Sequence, residues 1–181
     1  QGIVLGDICN VNQGIVTGAD KVSKRHIDKY SIDAKVGDGL FIIKEDELGN
    51  INSDEKQILK PWFKNSDIGQ YFTNVKPREL LIDLNYTSRP KIEKYPSIKK
   101  HLFKFEKILK DRPKPGTLES AFKNGYWWVL TTSRQQNFNG PKIVAPQRSP
   151  INTFGYNEIP WYAASDVFYI TENSNEFLLK Y

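Results

Sequence analysis

Residues 126–148, YWWVLTTSRQQNFNGPKIVAPQR, decide how the rest of the chain is read. Two apolar runs, Tyr126 to Leu130 and Lys142 to Ala145, have the length and the aromatic or β-branched content of strands. Between them, Thr131 to Gly140 is almost wholly polar, broken only by Phe138. Val167 to Thr171 reads as a further strand, and upstream so do Ile8 to Val11, Leu40 to Ile43 and Glu79 to Leu84, the last with Leu80 and Ile82 on one face. Strands joined by irregular polar loops, without regular strand-helix alternation, predict an α+β fold. The expected architecture is a single domain over residues 1–181: a mixed, mostly antiparallel twisted sheet with a few helices and long polar loops.

Two helices are legible. Asn52-x-x-Glu55 has the form of a capping box and opens a helix through Ile58 and Leu59 that must end near Pro61. Pro96 opens the second, in which Ile98, Leu102, Phe105, Ile108 and Leu109 form one apolar stripe. Lys99, Lys100, Lys104, Lys107 and Lys110 fan over its other side, and Arg112-Pro113 ends it. Phe103 projects among those lysines and marks a surface for a neighbouring domain. His101, at the edge of the stripe, reads as a hydrogen-bonded core histidine.

At 181 residues and 39% apolar, the chain can bury a core, and 13% aromatic content argues against disorder. One cysteine, Cys9, excludes an internal disulfide and a Cys-based zinc site, and points to a reducing, cytoplasmic compartment. No apolar run approaches the roughly 20 residues needed to span a bilayer, so no membrane partner is expected. The missing initial Met and the apolar Phe177 to Tyr181 run read as a piece of a longer protein.

The net charge of +5 hides a split. The window from Arg89 to Arg148 holds fourteen Lys and Arg against four acids, about +10, leaving the remainder near −5. Such a window is the footprint of a polyanion-binding face. The loop adds amides to the charge. Arg134 can present paired donors to guanine, and Gln135, Gln136 and Asn137 can match adenine's donor and acceptor together. Lys142, Gln147, Arg148 and Asn152 extend that supply, while lysines such as Lys99, Lys114 and Lys123 suit phosphates. A solvent-exposed polar loop is the plainer reading of the same residues.

Catalytic signatures are scarce. The turn Gly14-Ile15-Val16-Thr17-Gly18 lacks the Gly-Lys-Ser/Thr ending of a P-loop and the spacing of a dinucleotide fingerprint. Its two glycines let the backbone turn sharply or approach something closely. Asp20, Asp33 and Lys35 could imitate the acids and lysine of a magnesium-dependent nuclease, although the spacing alone carries little. A further alternative is a module without sequence preference, binding single-stranded DNA or RNA with Trp127, Trp128 and Phe138 as stacking platforms. Adjacent tryptophans in a strand face opposite ways, which places at least one in the core.

The order of landmarks resembles the TaqI-like C-terminal specificity domain, the target recognition domain of adenine-specific DNA methyltransferases and fused type II restriction-modification enzymes. Leu5-Gly6-Asp7-Ile8 precedes Gln13 to Val22. Ile58-Leu59-Lys60-Pro61, Ser66-Asp67-Ile68, Tyr95-Pro96, Leu109 to Arg112, Trp127-Trp128, Pro141 to Val144 and Ser165 to Tyr169 follow in order. One departure stands at Ser23, where the family usually places an aromatic. The resemblance implies double-stranded DNA as partner, gripped while an adenine is flipped into a covalently linked methyltransferase domain outside these residues. That domain would hold S-adenosylmethionine, leaving this chain without a cofactor or catalytic residue of its own. It further implies that Gly14, Thr17 and Gly18 face DNA or the catalytic domain.

Overall fold

The computed structural model describes residues 5–131 and 138–172. Along the chain lie α1 (Leu5–Ile8), β1 (Cys9–Gln13), α2 (Lys24–Tyr30), β2 (Ile42–Ile43), α3 (Ser53–Ile58), β3 (Leu59–Phe63), β4 (Ile68–Gly69), β5 (Phe72–Thr73) and β6 (Glu79–Ile82). They are followed by α4 (Pro96–Lys104), α5 (Glu106–Lys110), α6 (Thr117–Lys123), β7 (Lys142–Pro146), β8 (Gly155–Asn157), β9 (Tyr162–Ala163) and β10 (Val167–Glu172). This is the expected α+β fold. Its residues group into two compact units, one of residues 5–15, 61–77 and 138–172, the other of 16–60 and 78–131.

The first unit is built on an antiparallel sheet in the order β1-β10-β7-β8. Along β10, Val167 and Tyr169 are buried while Phe168 and Ile170 are half-buried, the period-2 pattern of a sheet with one face on the core. β1 buries Cys9 and exposes Asn10, Val11 and Asn12, as suits an edge strand. Trp62 and Phe63 pair in parallel with Tyr162 and Ala163. Aromatic rings fill the interior. Phe63 and Trp161 stack at 4.8 Å, and Phe138 lies 4.6 Å from Tyr162 and 5.0 Å from Tyr169. Buried polar tips find partners: Trp161 Nε1 donates to Asn74 O, and the Tyr169 hydroxyl donates to Trp161 O.

The helical unit pairs β2 with β6 and packs its helices on a core that includes Leu40, Phe41, Leu81, Ile98, Leu102 and Leu109. The capping box forms as read: Asn52 Oδ1 accepts from Glu55 N, and Glu55 Oε2 accepts from Asn52 N. Glu55 is fully buried because it also caps a second helix, its Oε1 accepting from Ser97 N at 2.6 Å and Ile98 N at 3.0 Å. Pro96 has no N–H to offer, so these are the first donors of α4. Ser23, the departure noted above, caps α2 with its side chain.

Several expectations change. The long helix is two: Phe105, at φ −108 and ψ 18, donates to Leu102 O and separates α4 from α5, although all five stripe residues are buried. Helix α1 occupies Leu5 to Ile8, so the first strand starts at Cys9. The run from Tyr126 to Leu130 is not a strand. Its Trp127 and Val129 carbonyls are taken by the Arg112 guanidinium rather than by a neighbouring strand. His101 is a core histidine as read, its Nε2 3.1 Å from Leu40 O, and burial holds its pKa below the usual value.

Glu55→Ala strips acceptors from two helix starts and is expected to cost about 2 to 4 kcal/mol. Glu55→Gln, which keeps one acceptor oxygen, should cost less, as read from urea denaturation midpoints.

Candidate nucleic-acid interface

In the sheet unit, residues 147–154 join β7 to β8, with Val144 opposite Gly155. Gln147, Arg148 and Asn152 are exposed on this loop. Its ends are fixed. Gln147 N donates to Asp166 O at 2.7 Å, the Ser149 and Thr153 hydroxyls meet at 2.8 Å, and Phe154 O accepts from Tyr71 N at 2.8 Å. Two amides and a guanidinium are thus offered to solvent from a loop tied down at both ends by hydrogen bonds, an arrangement suited to pairing with base edges.

Tyr71 belongs to the β4–β5 hairpin, in which Ile68 pairs with Thr73 and Gly69 with Phe72. Gln70, Tyr71 and Phe72 are exposed at its tip. The Tyr71 ring meets Phe154 edge-on at 5.5 Å. The sequence alone raised no expectation of a hairpin here. The turn residues, Gln70 and Tyr71, carry none of the Asn-Gly, Asp-Gly or Gly-first pairs that mark a two-residue hairpin, so the turn has no local signature.

Lys142 is a correction. It is fully buried, with its ammonium donating to Gly140 O at 2.8 Å and Ile159 O at 2.6 Å, and burial lowers its pKa to about 8. A cation enclosed in this way fixes two loops and does not reach a ligand. Asn157, its register partner, is buried with neither side-chain polar atom hydrogen-bonded. Gly14 is also internal. A Cβ there would lie 2.2 Å from Ala164 O, so its backbone packs against that strand end rather than facing outward. Arg134, Gln135 and Gln136 lie outside the described residues.

In the helical unit, Thr17 is buried and its carbonyl accepts from Arg112 Nη1 at 2.7 Å, which corrects its placement on a ligand-facing turn. Gly18 is exposed at the mouth of a cleft of about 230 Å³ that Arg25, His26, Lys29, Tyr30 and Asp111 also line. Asp111 takes the Lys29 ammonium and the Tyr30 hydroxyl, which holds its carboxyl below the usual range. The proposed phosphate anchors are on the surface with partners. Lys99 lies 3.5 Å from Glu93, Lys123 2.8 Å from Glu119, and the Lys114 ammonium sits 4.9 Å from the centre of the Phe122 ring.

The stacking platforms of the alternative are largely enclosed: Trp128 and Phe138 are buried, and Trp127 is half-buried against Phe103 at 4.8 Å. Phe103 therefore has a partner in its own unit. For the nuclease alternative, Asp20 accepts a hydrogen bond from the Thr17 hydroxyl, while Asp33 and Lys35 are exposed. Among the described residues, no group of three or more His, Cys, Asp or Glu could hold a metal ion, and no helix is long and apolar enough to cross a membrane.

No family model matches the chain. Over 190 residues, 99% of the chain is 26% identical to the type II methyltransferase M.MjaIV of Methanocaldococcus jannaschii, and it spans about half, 55%, of that protein's length. Its fold matches 20% of the type IIL restriction-modification enzyme MmeI, solved in complex with DNA, with a TM-score of 0.57 over 97% of the chain at 9% identity. The chain is thus similar in sequence to a type II methyltransferase and similar in fold to a segment of a restriction-modification enzyme.

Lys142→Met leaves two carbonyls without their donor and is expected to cost about 1 to 3 kcal/mol near neutral pH. The native chain releases this proton at about pH 8, whereas its ordinary value is 10.5. Between those values the unfolded state binds more protons, so native stability from this group rises with pH. Urea midpoints measured at several pH values should therefore show the gap between wild type and variant widening above pH 8.

Proposed function

We propose that this chain is the target recognition part of an adenine-specific DNA methyltransferase or restriction-modification enzyme, a TaqI-like specificity domain. The observation that carries the reading is the β7–β8 loop, where exposed Gln147, Arg148 and Asn152 stand on an antiparallel sheet. The sequence likeness to a type II methyltransferase and the fold likeness to a restriction-modification enzyme support it. A methyltransferase acting on an adenine must rotate the base out of the stack while the duplex is held in one register. Loop amides and Arg148 supply register by pairing with base edges. Surface cations such as Lys99, Lys114 and Lys123 add phosphate contacts that strengthen binding to any sequence alike.

In this reading the chemistry belongs to a linked catalytic domain that holds S-adenosylmethionine, and the present residues decide only where on DNA it acts. Single-strand binding through stacked tryptophans is disfavoured by the burial of Trp128 and Phe138.

Replacing Gln147 or Arg148 by Ala in the intact methyltransferase should relax target choice at particular base positions, by about 1 to 3 kcal/mol for each lost bidentate contact. Sequencing of methylated sites reads this out, and an unchanged site pattern would overturn the assignment. Lys114→Ala should instead weaken binding to all sequences equally and lower the salt slope by about one.

A further inference from the structure

The large apolar side chains exposed among the described residues are unevenly spread. Tyr71 at 67%, Phe72 at 63%, Val75 at 57%, Ile151 at 61% and Phe154 at 41% gather on the β4–β5 hairpin and the loop beside it. Single exposed hydrophobics are ordinary, but a gathered set marks a contact surface. Tyr71 also holds φ at 70, in the left-handed region where glycine is favoured, so its ring is displayed at a cost in backbone strain.

The hairpin is braced rather than loose. Asn74 N donates to Asp67 O at 2.8 Å, and Trp161 Nε1 ties Asn74 O to the core at 3.0 Å. Gly155 lets the hairpin lie on β8: a Cβ there would come within 2.6 Å of the Phe72 carbonyl. The surroundings identify the partner. Lys64 and Lys76 bracket the hairpin, and the loop carrying Phe154 also carries Gln147, Arg148 and Asn152. The hairpin's acid, half-buried Asp67, is occupied locally, accepting from Lys64 N at 2.9 Å and from the Asn74 amide at 3.1 Å. An aromatic edge with a cationic, amide-rich rim fits the stacked bases and phosphates of a duplex.

We propose that the Gln70 to Phe72 tip is a wedge that enters a base step of double-stranded DNA next to the bases met by the Gln147 to Asn152 loop, unstacking that step. The proposal rests on the DNA-recognition reading above. Apolar side chains that enter a step kink the duplex and pin the protein's register, which would help hold DNA while a neighbouring base leaves the stack.

The test uses the intact methyltransferase containing this chain, with target duplexes carrying 2-aminopurine at successive positions. Binding should raise fluorescence at one step apart from the flipped adenine. Tyr71→Gly suits the left-handed position, so the variant should melt no lower than wild type. In that variant, and in Phe72→Ser, the rise at that step should disappear, with duplex binding weakened roughly 5- to 100-fold. Arg148→Ala should keep the rise while altering site choice. Persistence of the signal in both tip variants overturns the wedge and leaves the recognition reading standing. Failure of wild type to bind duplex at all overturns both. A changed oligomeric mass in the tip variants, with the signal intact, would make the patch a protein interface instead.

Discussion

Two buried cations that meet no counter-ion among the described residues, Arg112 and Lys142, hold the irregular segments of both units in place. Arg112 is 4% exposed, and its guanidinium donates to Thr17 O, Trp127 O and Val129 O, while its Nε donates to Leu109 O. Its centre also lies 5.0 Å from the middle of the Phe41 ring. Burial lowers its pKa only to about 10, so it remains charged at neutral pH. A charge in that position must be met by oriented dipoles, and main-chain carbonyls are the dipoles available. Three of these carbonyls, those of Thr17, Trp127 and Val129, belong to stretches without regular secondary structure, which the bonds hold in place. In the sheet unit, Lys142 does the same with Gly140 O and Ile159 O. Irregular segments can therefore be as well defined as strands.

This constraint changes the meaning of the basic window. Arg112 and Lys142 lie inside it by sequence but serve the interior, and Lys99, Lys110 and Lys123 face acids at the surface. Exposed pairs of this kind are weak, so a phosphate could displace the carboxylate at little cost. Charge count alone therefore overstates the polyanion-binding face. In the sheet unit, what remains is the exposed Gln147, Arg148 and Asn152 of the β7–β8 loop.

In the proposed role, the sheet unit supplies a base-reading loop and an aromatic tip from adjacent hairpins. The core of the same unit is filled by rings, Phe63 stacked on Trp161 and Tyr169 meeting both Phe138 and Trp161 edge-on. Rigidity matters because a base contact misplaced by a fraction of an ångström loses its selectivity. It also explains why aromatic residues fall into two classes here. Those that hydrogen-bond inward, such as Trp161 and Tyr169, build the platform. Tyr71 and Phe72 are displayed at its edge.

Local chemistry was legible in the sequence alone. The capping box at Asn52 and Glu55, the apolar stripe from Ile98 to Leu109, and strands β7 and β10 all follow from spacing within a few residues, and all form. So was the α+β class, since the alternation of strands with polar loops is a property of the chain. Tertiary structure decided which polar residues face solvent. Strand spacing puts Lys142 on the face of Val144 but does not say that a carbonyl 17 positions away seals it, while Arg148, just past the strand, is exposed. Arg112 meets a carbonyl 95 positions away. The same holds for Tyr71, whose φ and exposure depend on a hairpin braced by Phe154 and Trp161. Burial of a charge or display of a ring is settled by partners distant in sequence, and periodicity carries no record of them.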